Sequence, residues 1–217
     1  DEQIAGGFAK HIPYPECNLP DQLMLQEHFL RFTAAENTPI DSSEAVYRTS
    51  HMNTIFQLTD EMKTTYETDA GYGQFLAFFS DNCSCLRRSV WEKIPYDDVD
   101  YAEDQFWARK ILEAGYKKVF CPKAVVYHSH NYPLKSYAKR YYDDFKAVYR
   151  VYGRAALANN KRGMIRGLIG DTKHQCGYIY RYPEMSLGEK VKWMWYAVVR
   201  NIYRYNAMRK VLYYFTQ

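Results

Sequence analysis

The sequence predicts an α/β protein that continues into a helical C-terminal extension. Short apolar runs between residues 75 and 127 are typical of strands, and they flank one amphipathic helix that begins near residue 103. Alternating strands and helices indicate a sheet with flanking helices. From residue 134 onward, apolar and aromatic residues recur with helical spacing and basic residues lie between them, which predicts the extension.

The charge changes sign at the start of this extension. Residues 1–133 hold 12 Lys and Arg against 20 Asp and Glu, whereas residues 134–217 hold 17 against 5. An acidic part followed by a basic part with many of the chain's 22 tyrosines predicts two domains with these boundaries. The basic part has the charge to bind phosphate groups on lipids or on nucleic acid.

The first part of the chain is predicted to be irregular, with few elements. Residues 1–20 are rich in Gly and Pro, and a short helix is predicted to begin at Pro20. Residues 33–73 are polar and are interpreted as mostly loop around a short apolar stretch at 54–58. The apolar run 75–79 then predicts a buried strand.

The middle of the chain gives clearer patterns. One or two helical turns are predicted at 89–94, followed by an acidic loop at 96–101. A helix is predicted at 103–114, because its apolar residues fall mainly on one face. Two strands, 118–120 and 124–127, are predicted on either side of a proline turn.

The extension is predicted to consist of helices. The first covers 134–152 and ends at Gly153, and a second covers about 154–168. The third begins after Ser186, since Ser186 and Glu189 have the spacing of a capping box.

Two carboxylates open the helix at 103–114. Glu103 and Asp104 lie in its first turn, where free N–H groups favour negative charge, so capping is the simple alternative to catalysis. With Asp97, Asp98 and Asp100 they place five carboxylates within eight positions, which indicates a balancing cation or a hydroxyl-rich ligand. Asp98 and Asp100 also have the D-x-D spacing of some metal sites, but a solvated loop is the favoured interpretation because no strand precedes them.

Two histidines end the predicted strand at 124–127. His128 and His130 are two positions apart and would share a face, a geometry suited to metal ligands or to a diphosphate contact. The alternative is a pair of hydrogen-bonded surface histidines.

Four further residues are candidates for binding. Trp107 is interpreted either as a core residue or as the floor of an acceptor pocket that stacks on a sugar, and Arg109 as a surface residue or a substrate contact. Asp81 and Asn82 follow the predicted strand at 75–79 and either bind hydroxyls or cap a turn.

The stretch from Phe78 to Tyr132 resembles the second half of an inverting family 2 glycosyltransferase with the GT-A fold. Within that family it is most similar to bacterial rhamnosyltransferase-like enzymes. The similarity rests on the E-D-x-x-W-x-R run at 103–109 together with the strand that ends in histidines, and it extends weakly to Gly6 and Gly153. The resemblance implies a partial GT-A, Rossmann-like mixed sheet with flanking helices.

The resemblance also implies residue roles. Asp104 matches the catalytic base that deprotonates the acceptor hydroxyl, and Glu103 would help to hold the acceptor. His128 matches a histidine that completes the metal site or contacts the diphosphate, with His130 as the reserve candidate. The remaining substrate-binding positions that it implies are Asp81, Asn82, Trp107 and Arg109.

The implied reaction transfers a sugar, with rhamnose as a candidate, from a dTDP- or UDP-sugar to a cell-surface glycan or lipid-linked acceptor. Such enzymes build bacterial envelope polysaccharides, and the resemblance implies a divalent metal, Mg or Mn, in the complete enzyme. The sequence shows no counterpart of the nucleotide-binding first half. The chain is therefore expected to be a C-terminal portion that is inactive alone.

A non-catalytic module that binds an anionic membrane or a partner through its basic helices is the alternative function. No nucleic-acid recognition motif is found, so nucleic acid is not an expected partner. The five cysteines are an odd number without metal-ligand spacing, which favours reduced thiols in the cytoplasm. Work on lipid-linked acceptors, which the resemblance implies, would place the protein at the inner face of the plasma membrane. An exposed sheet edge pairs readily with the same edge of a second copy of the chain, which predicts a homodimer.

Overall fold

The computed structural model describes residues 1–33, 45–49, 51–153, 157 and 161–215. The chain divides into two compact units. The first unit consists of Asp1–Tyr14 and Leu25–His128, and the second of Pro15–Met24 and Ser129–Gln217. A mixed sheet with flanking helices and a helical C-terminal region confirm the predicted α/β fold class.

The sheet of the first unit has five strands in the order β2-β3-β5-β1-β4. Only the pair β1 and β5 is parallel, and the other three pairs are antiparallel. The strands are β1 (Ile4–Ile12), β2 (Val46–Arg48), β3 (Thr54–Phe56), β4 (Ser84–Leu86) and β5 (Lys117–Tyr127).

Strand β1 shows that the predicted irregular start of the chain is wrong. A Cβ atom on Gly6 would lie 2.8 Å from the carbonyl oxygen of Cys85 and 3.1 Å from the ring of Trp107. The glycine is therefore required for close approach of β4 and the helix behind it, and it does not mark a turn.

Strand β5 joins the two strands predicted at 118–120 and 124–127. Ala9 of β1 pairs with Cys121, whereas the next residue, Lys10, pairs with Val125. The three residues between Cys121 and Val125 bulge out of the ladder, and they include Pro122, which has no N–H to donate. The predicted proline turn is thus a bulge within one strand.

The helices agree with the periodic patterns and differ from the prediction where the pattern is short. They are α1 (Leu19–Leu30), α2 (Lys63–Thr68), α3 (Ala70–Ala77), α4 (Arg88–Trp91), α5 (Glu103–Glu113), α6 (Leu134–Tyr152), α7 (Lys161–Arg181) and α8 (Leu187–Phe215). The predicted helices at 103–114 and 134–152 are confirmed, and the prediction at 89–94 corresponds to the single turn α4, which ends at Trp91. The capping box is also confirmed, since the Ser186 N–H donates to Glu189 over 2.9 Å and the Glu189 N–H donates to the Ser186 hydroxyl over 3.3 Å.

The strand predicted at 75–79 is wrong, because most of this run belongs to α3. The Asp69 carboxylate caps that helix by accepting from the N–H groups of Gly71 and Tyr72 at 2.9 and 3.0 Å. Leu76 and Ala77 of this helix are fully buried, and burial alone does not separate a helical turn from a strand.

Two other predicted ranges differ from the structure. The loop predicted at 33–73 contains β2, β3 and α2, although residues 34–44 and 50 lie outside the described part of the chain. Helix α7 covers 161–181, whereas the prediction was about 154–168. Of that range, residues 154–156 and 158–160 also lie outside the described part.

A buried lysine lies in the aromatic core of the first unit. The Lys118 ammonium donates to the carbonyl of Phe78 over 2.7 Å and lies 3.8 Å from the ring centroid of Phe56. Burial, with a smaller contribution from Arg31, holds the pKa of Lys118 well below its ordinary value of 10.5.

Lys118→Met is expected to remove a pH dependence of stability. Because the folded pKa of Lys118 lies below the unfolded value, the unfolded chain binds the extra proton, and folding gains free energy as pH rises toward 10.5. Urea unfolding at pH 7, 8 and 9 should show the wild type gaining stability relative to the variant. A difference that stays constant with pH contradicts a lowered pKa of Lys118.

The second unit packs α6, α7 and α8 around two apolar clusters. Tyr137, Tyr141 and Phe145 of α6 face Ala207 and Val211 of α8 in one cluster. Ile179, Ala197 and Leu19 form the other. None of the helices in the described ranges is long and apolar enough to cross a membrane.

Candidate active site

A polar cluster lies in the first unit, where the short 3-10 turn before β4 meets the start of α5. The turn covers Asp81–Cys83, and Asp104 is the second residue of α5. The Asp81 N–H donates to Oδ2 of Asp104 over 3.3 Å, and the Gln105 N–H donates to Oδ1 over 2.8 Å. Both carboxylate oxygens are held by backbone donors, so the orientation of the carboxylate is fixed.

The environment of Asp104 changes its acidity. Burial raises the pKa of Asp104 to about 6, and the carboxylates of Asp81 and Glu103 add to the increase, while the two N–H donors partly oppose it. A base whose pKa lies just below neutral pH is ionised under ordinary conditions and still accepts a proton readily. Asp104 therefore has the acidity expected of a general base.

Asp81 links Asp104 to the aromatic side chain of Tyr96 through hydrogen bonds. One oxygen of Asp81 accepts from the Tyr96 hydroxyl at 2.7 Å and from the Ser84 hydroxyl at 3.0 Å. Burial, the hydrogen bond to Asp81 and nearby carboxylates raise the pKa of Tyr96, so its hydroxyl stays protonated and remains a donor. The Tyr96 ring in turn packs edge-on against Trp107, with centroids 5.7 Å apart.

Trp107 is a core residue, which corrects its prediction as an acceptor-pocket floor. It has no exposed surface, and its indole N–H donates to the carbonyl of Ile94 over 2.8 Å. Its ring also packs against Phe79 at 5.3 Å. A fully buried ring cannot stack on a sugar, so Trp107 acts by supporting Tyr96.

Arg109 points away from Asp104, and its role as a substrate contact stays a prediction. Five positions along a helix correspond to about 140° of rotation, so the two side chains leave α5 in different directions. Arg109 pairs with Glu113 at 3.0 Å and lies 5.7 Å from the ring of Tyr66.

The histidines follow β5 and do not form part of it. The strand ends at Tyr127, so the alternation predicted to place both side chains on one face does not reach them. The His128 N–H donates to the carbonyl of Ile12 over 2.9 Å, and its ring lies 5.0 Å from the ring of His11. His130 belongs to the second unit, where its ring stacks on Tyr132 at 4.9 Å.

His11 is a site residue that the sequence analysis missed. It lies near the carboxyl end of β1, is buried, and has Nε2 3.4 Å from the hydroxyl of Ser80, to which the Asn82 amide also donates over 3.1 Å. Burial, helped by His128, lowers the pKa of His11 to about 4, so the ring is neutral at neutral pH. The sequence signal that could have indicated this strand, and with it His11, is the apolar run from Ile4 to Ala9, which stops before a proline.

The site therefore gathers residues from the ends of both parallel strands and from the segment 80–82. Ser80 contacts His11 and Asp81 contacts Asp104, so this segment links the imidazoles to the base candidate. Asp98 and Asp100 lie exposed in the loop before α5, in agreement with the solvated-loop interpretation.

A metal site was predicted at His128, with His130 as the reserve candidate. Within the described ranges, no group of three or more His, Cys, Asp or Glu side chains is positioned to hold a metal ion. The residues described do not by themselves fit a divalent ion, so no catalytic step is derived through one.

The fold and the site are those of an α/β protein with an oriented carboxylate at the end of a mixed sheet. Part of this chain is similar to two proteins that are named rhamnosyltransferases. Over 68 residues the chain is 43% identical to "O-antigen chain rhamnosyltransferase RfbN" of Salmonella typhimurium, a match that covers 30% of this chain and 22% of that protein. Over 69 residues it is 41% identical to "O-antigen chain rhamnosyltransferase WbaN" of Salmonella anatum, with the same coverage.

These matches confirm the resemblance to rhamnosyltransferase-like enzymes, and they support a glycosyltransferase role. The matched part spans about a fifth of the length of each relative. No known protein-family pattern and no solved structure matches the chain.

Proposed function

We propose that this chain supplies the acceptor side of an inverting glycosyltransferase, with Asp104 as the general base. The observation that carries the proposal is the Asp104 carboxylate itself. It is partly buried, oriented by two N–H donors, and has its pKa raised to about 6. It belongs to a chain whose relatives are named rhamnosyltransferases.

The proposed step forms one bond and breaks another. The acceptor hydroxyl gives its proton to Asp104 while its oxygen attacks the anomeric carbon of the donor sugar. The bond from that carbon to the nucleotide diphosphate breaks on the opposite face, so the configuration inverts. Glu103, which is half-buried in the same helical turn, is proposed to accept a hydrogen bond from a second hydroxyl of the acceptor.

The proposed donor is a dTDP- or UDP-sugar, with rhamnose as the first candidate, because both relatives carry rhamnosyltransferase in their names. The proposed acceptor is a bacterial cell-surface glycan or its lipid-linked precursor. We further propose that the chain is the C-terminal portion of the enzyme and that it works at the inner face of the plasma membrane. A Mg or Mn ion in the complete enzyme and a homodimer also belong to the proposal.

A transfer assay on the full-length gene product that contains this sequence tests the reaction class. It combines each of dTDP-rhamnose, UDP-glucose and UDP-galactose with a lipid-linked glycan acceptor, and NMR determines the anomeric configuration of the product. Transfer of one sugar with inversion is expected. Absence of transfer from all three donors, or a product with retained configuration, contradicts the proposal.

Tyr96→Phe is expected to lower kcat about 10-fold without changing KM. Removal of the hydroxyl frees Asp81 from its 2.7 Å hydrogen bond and loosens the N–H that orients Asp104, so the expected loss is in positioning of the base. Steady-state kinetics of the full-length gene product give both constants, and Tyr127→Phe, an exposed tyrosine, is the control. An equal loss in the control, or a change confined to KM, contradicts a positioning role.

The alternative of a non-catalytic module stays a hypothesis for the helical extension. It is compatible with sugar transfer, since an enzyme that acts on lipid-linked acceptors benefits from a membrane contact.

A further inference from the structure

The outer faces of α7 and α8 carry large apolar side chains that are exposed. On α8 the row recurs at intervals of four and seven residues and consists of Leu187, Val191, Trp195 and Ile202, which are 74%, 55%, 67% and 45% exposed. On α7 it consists of Ile165, Ile169 and Tyr180, which are 56%, 61% and 66% exposed. Rows of this kind on adjacent helices are unusual for a surface that faces only water.

The two helices run antiparallel, because early residues of α7 meet late residues of α8. Gly167 lies against Tyr205, whereas the backbone carbonyl of Tyr180 accepts from the Lys190 ammonium at 2.8 Å. Ile179 and Ala197 are completely buried between them.

Helical geometry places the two exposed rows on the same side of this pair. On each helix, a rotation of about 100° about the helix axis leads from the row that contacts the other helix to the exposed row. The rotation has the same direction on both helices when each is viewed from its own N-terminus. In an antiparallel pair, equal rotation in the same sense points to the same side. The rows therefore form one apolar surface, called here the α7–α8 face.

Basic residues surround the α7–α8 face. The two helices hold 11 Lys and Arg but only two acidic residues. Both acids have structural partners, since Asp171 pairs with Arg204 at 2.6 Å and Glu189 caps Ser186. The exposed cations of the pair include Arg162, Arg166, Lys173, Lys192, Arg209 and Lys210.

A groove near the end of α8 extends the basic surface. It has a volume of about 490 Å³ and is lined by Tyr142, Tyr213, Tyr214, Arg209 and Lys210. Tyrosine presents an apolar ring with a polar hydroxyl, and together with cations it suits the region of lipid headgroups.

We propose that the α7–α8 face docks on an anionic lipid bilayer and lies flat in its interface. An apolar face bordered by cations, with Trp and Tyr among its members, matches the apolar and the charged layer of such a surface. A second copy of the chain is the less favoured occupant, because a two-fold pair would bring the cation rows of both copies together. This proposal does not depend on the sugar-transfer reaction.

Vesicle flotation of the full-length gene product tests the proposal. Vesicles of phosphatidylcholine alone are compared with vesicles that contain about 30% phosphatidylglycerol, in low and in high salt. Binding to the anionic vesicles is expected to exceed binding to the neutral ones at least 10-fold, and high salt should weaken it.

Two double variants separate the apolar from the charged contribution. Val191→Ser with Trp195→Ser is expected to weaken binding to anionic vesicles at least 10-fold, whereas Trp91→Ser, a 41% exposed tryptophan of the first unit, should not. Lys192→Gln with Lys210→Gln is expected to weaken binding about 25-fold, since each cation near the surface contributes about 5-fold. All of these side chains are exposed, and circular dichroism checks that the variants fold.

Several outcomes would overturn the proposal. Absence of binding to anionic vesicles, equal binding to neutral vesicles, or wild-type binding by the Val191→Ser/Trp195→Ser variant each does so. A concentration-dependent dimer that Trp195→Ser dissociates also does so, because the face would then be an interface between copies.

Discussion

Replacement of Asp104 by Asn is expected to lower kcat by about three orders of magnitude in the full-length gene product. Asn keeps the size of the side chain but cannot accept the proton of the acceptor hydroxyl, and a positioned base contributes about 10²- to 10⁴-fold. The matched control is Asp98→Asn, which removes an exposed carboxylate from the loop just before the same helix. Comparable activity of the Asp104 variant and the wild type would remove Asp104 from the mechanism.

The same substitution is expected to stabilise the fold at alkaline pH. The folded pKa of Asp104 is about 6, above its ordinary value of 3.8, so the folded state favours the protonated side chain. That contribution to stability is complete below pH 3.8 and is lost as pH rises through 6.

Asp104→Asn should therefore unfold with a free energy about 1–2 kcal/mol higher than the wild type at pH 8 and with an equal free energy near pH 3.5. Urea unfolding at the two pH values measures the difference. A variant that is less stable at pH 8 would show that the N–H donors outweigh burial of the carboxylate.

Replacement of Arg200 by Ala is expected to lower the free energy of unfolding by about 3–5 kcal/mol. Arg200 is completely buried in the second unit and pairs with Asp21, which also accepts hydrogen bonds from the Tyr137 hydroxyl and the Asn18 amide. Loss of the guanidinium leaves a largely buried carboxylate without its cation, and that unpaired charge is the source of the cost.

A control and a rescue variant identify that source. Arg204→Ala breaks the partly exposed pair with Asp171 and should cost no more than about 1 kcal/mol. Asp21→Asn with Arg200→Met removes both charges and should recover much of the lost stability. A double variant as unstable as Arg200→Ala would assign the effect to packing of the side chain.

The long helices were predictable because their signals are local. The regular apolar spacing of α5 and α6 and the Ser186–Glu189 box of α8 lie within single elements, and short-range geometry decides them. Strand β1 was not predictable in the same way, because Gly6 and Gly7 look like turn residues until the neighbouring strand that requires them is known. The run 75–79 failed because both a strand and a buried helical turn need apolar residues.

The candidate site shows the same division between local and long-range information. Asp104 and Glu103 were predicted as site residues from the acidic start of a helix together with the family resemblance of the run at 103–109. His11 was not, because the parallel register of β1 and β5 brings it to His128 across more than one hundred positions of sequence. Trp107 was left open between a core residue and the floor of an acceptor pocket, because the sequence motif alone does not reveal that its side chain is completely buried.

The pH dependence of kcat/KM for sugar transfer tests the assignment of the base most directly. The wild type is expected to gain activity between pH 5 and 7, with an apparent pKa of about 6 that belongs to Asp104, and then to level off. Asp104→Asn should retain only a low activity without that rise. The same rise, with the same apparent pKa, in the Asn variant would contradict Asp104 as the general base.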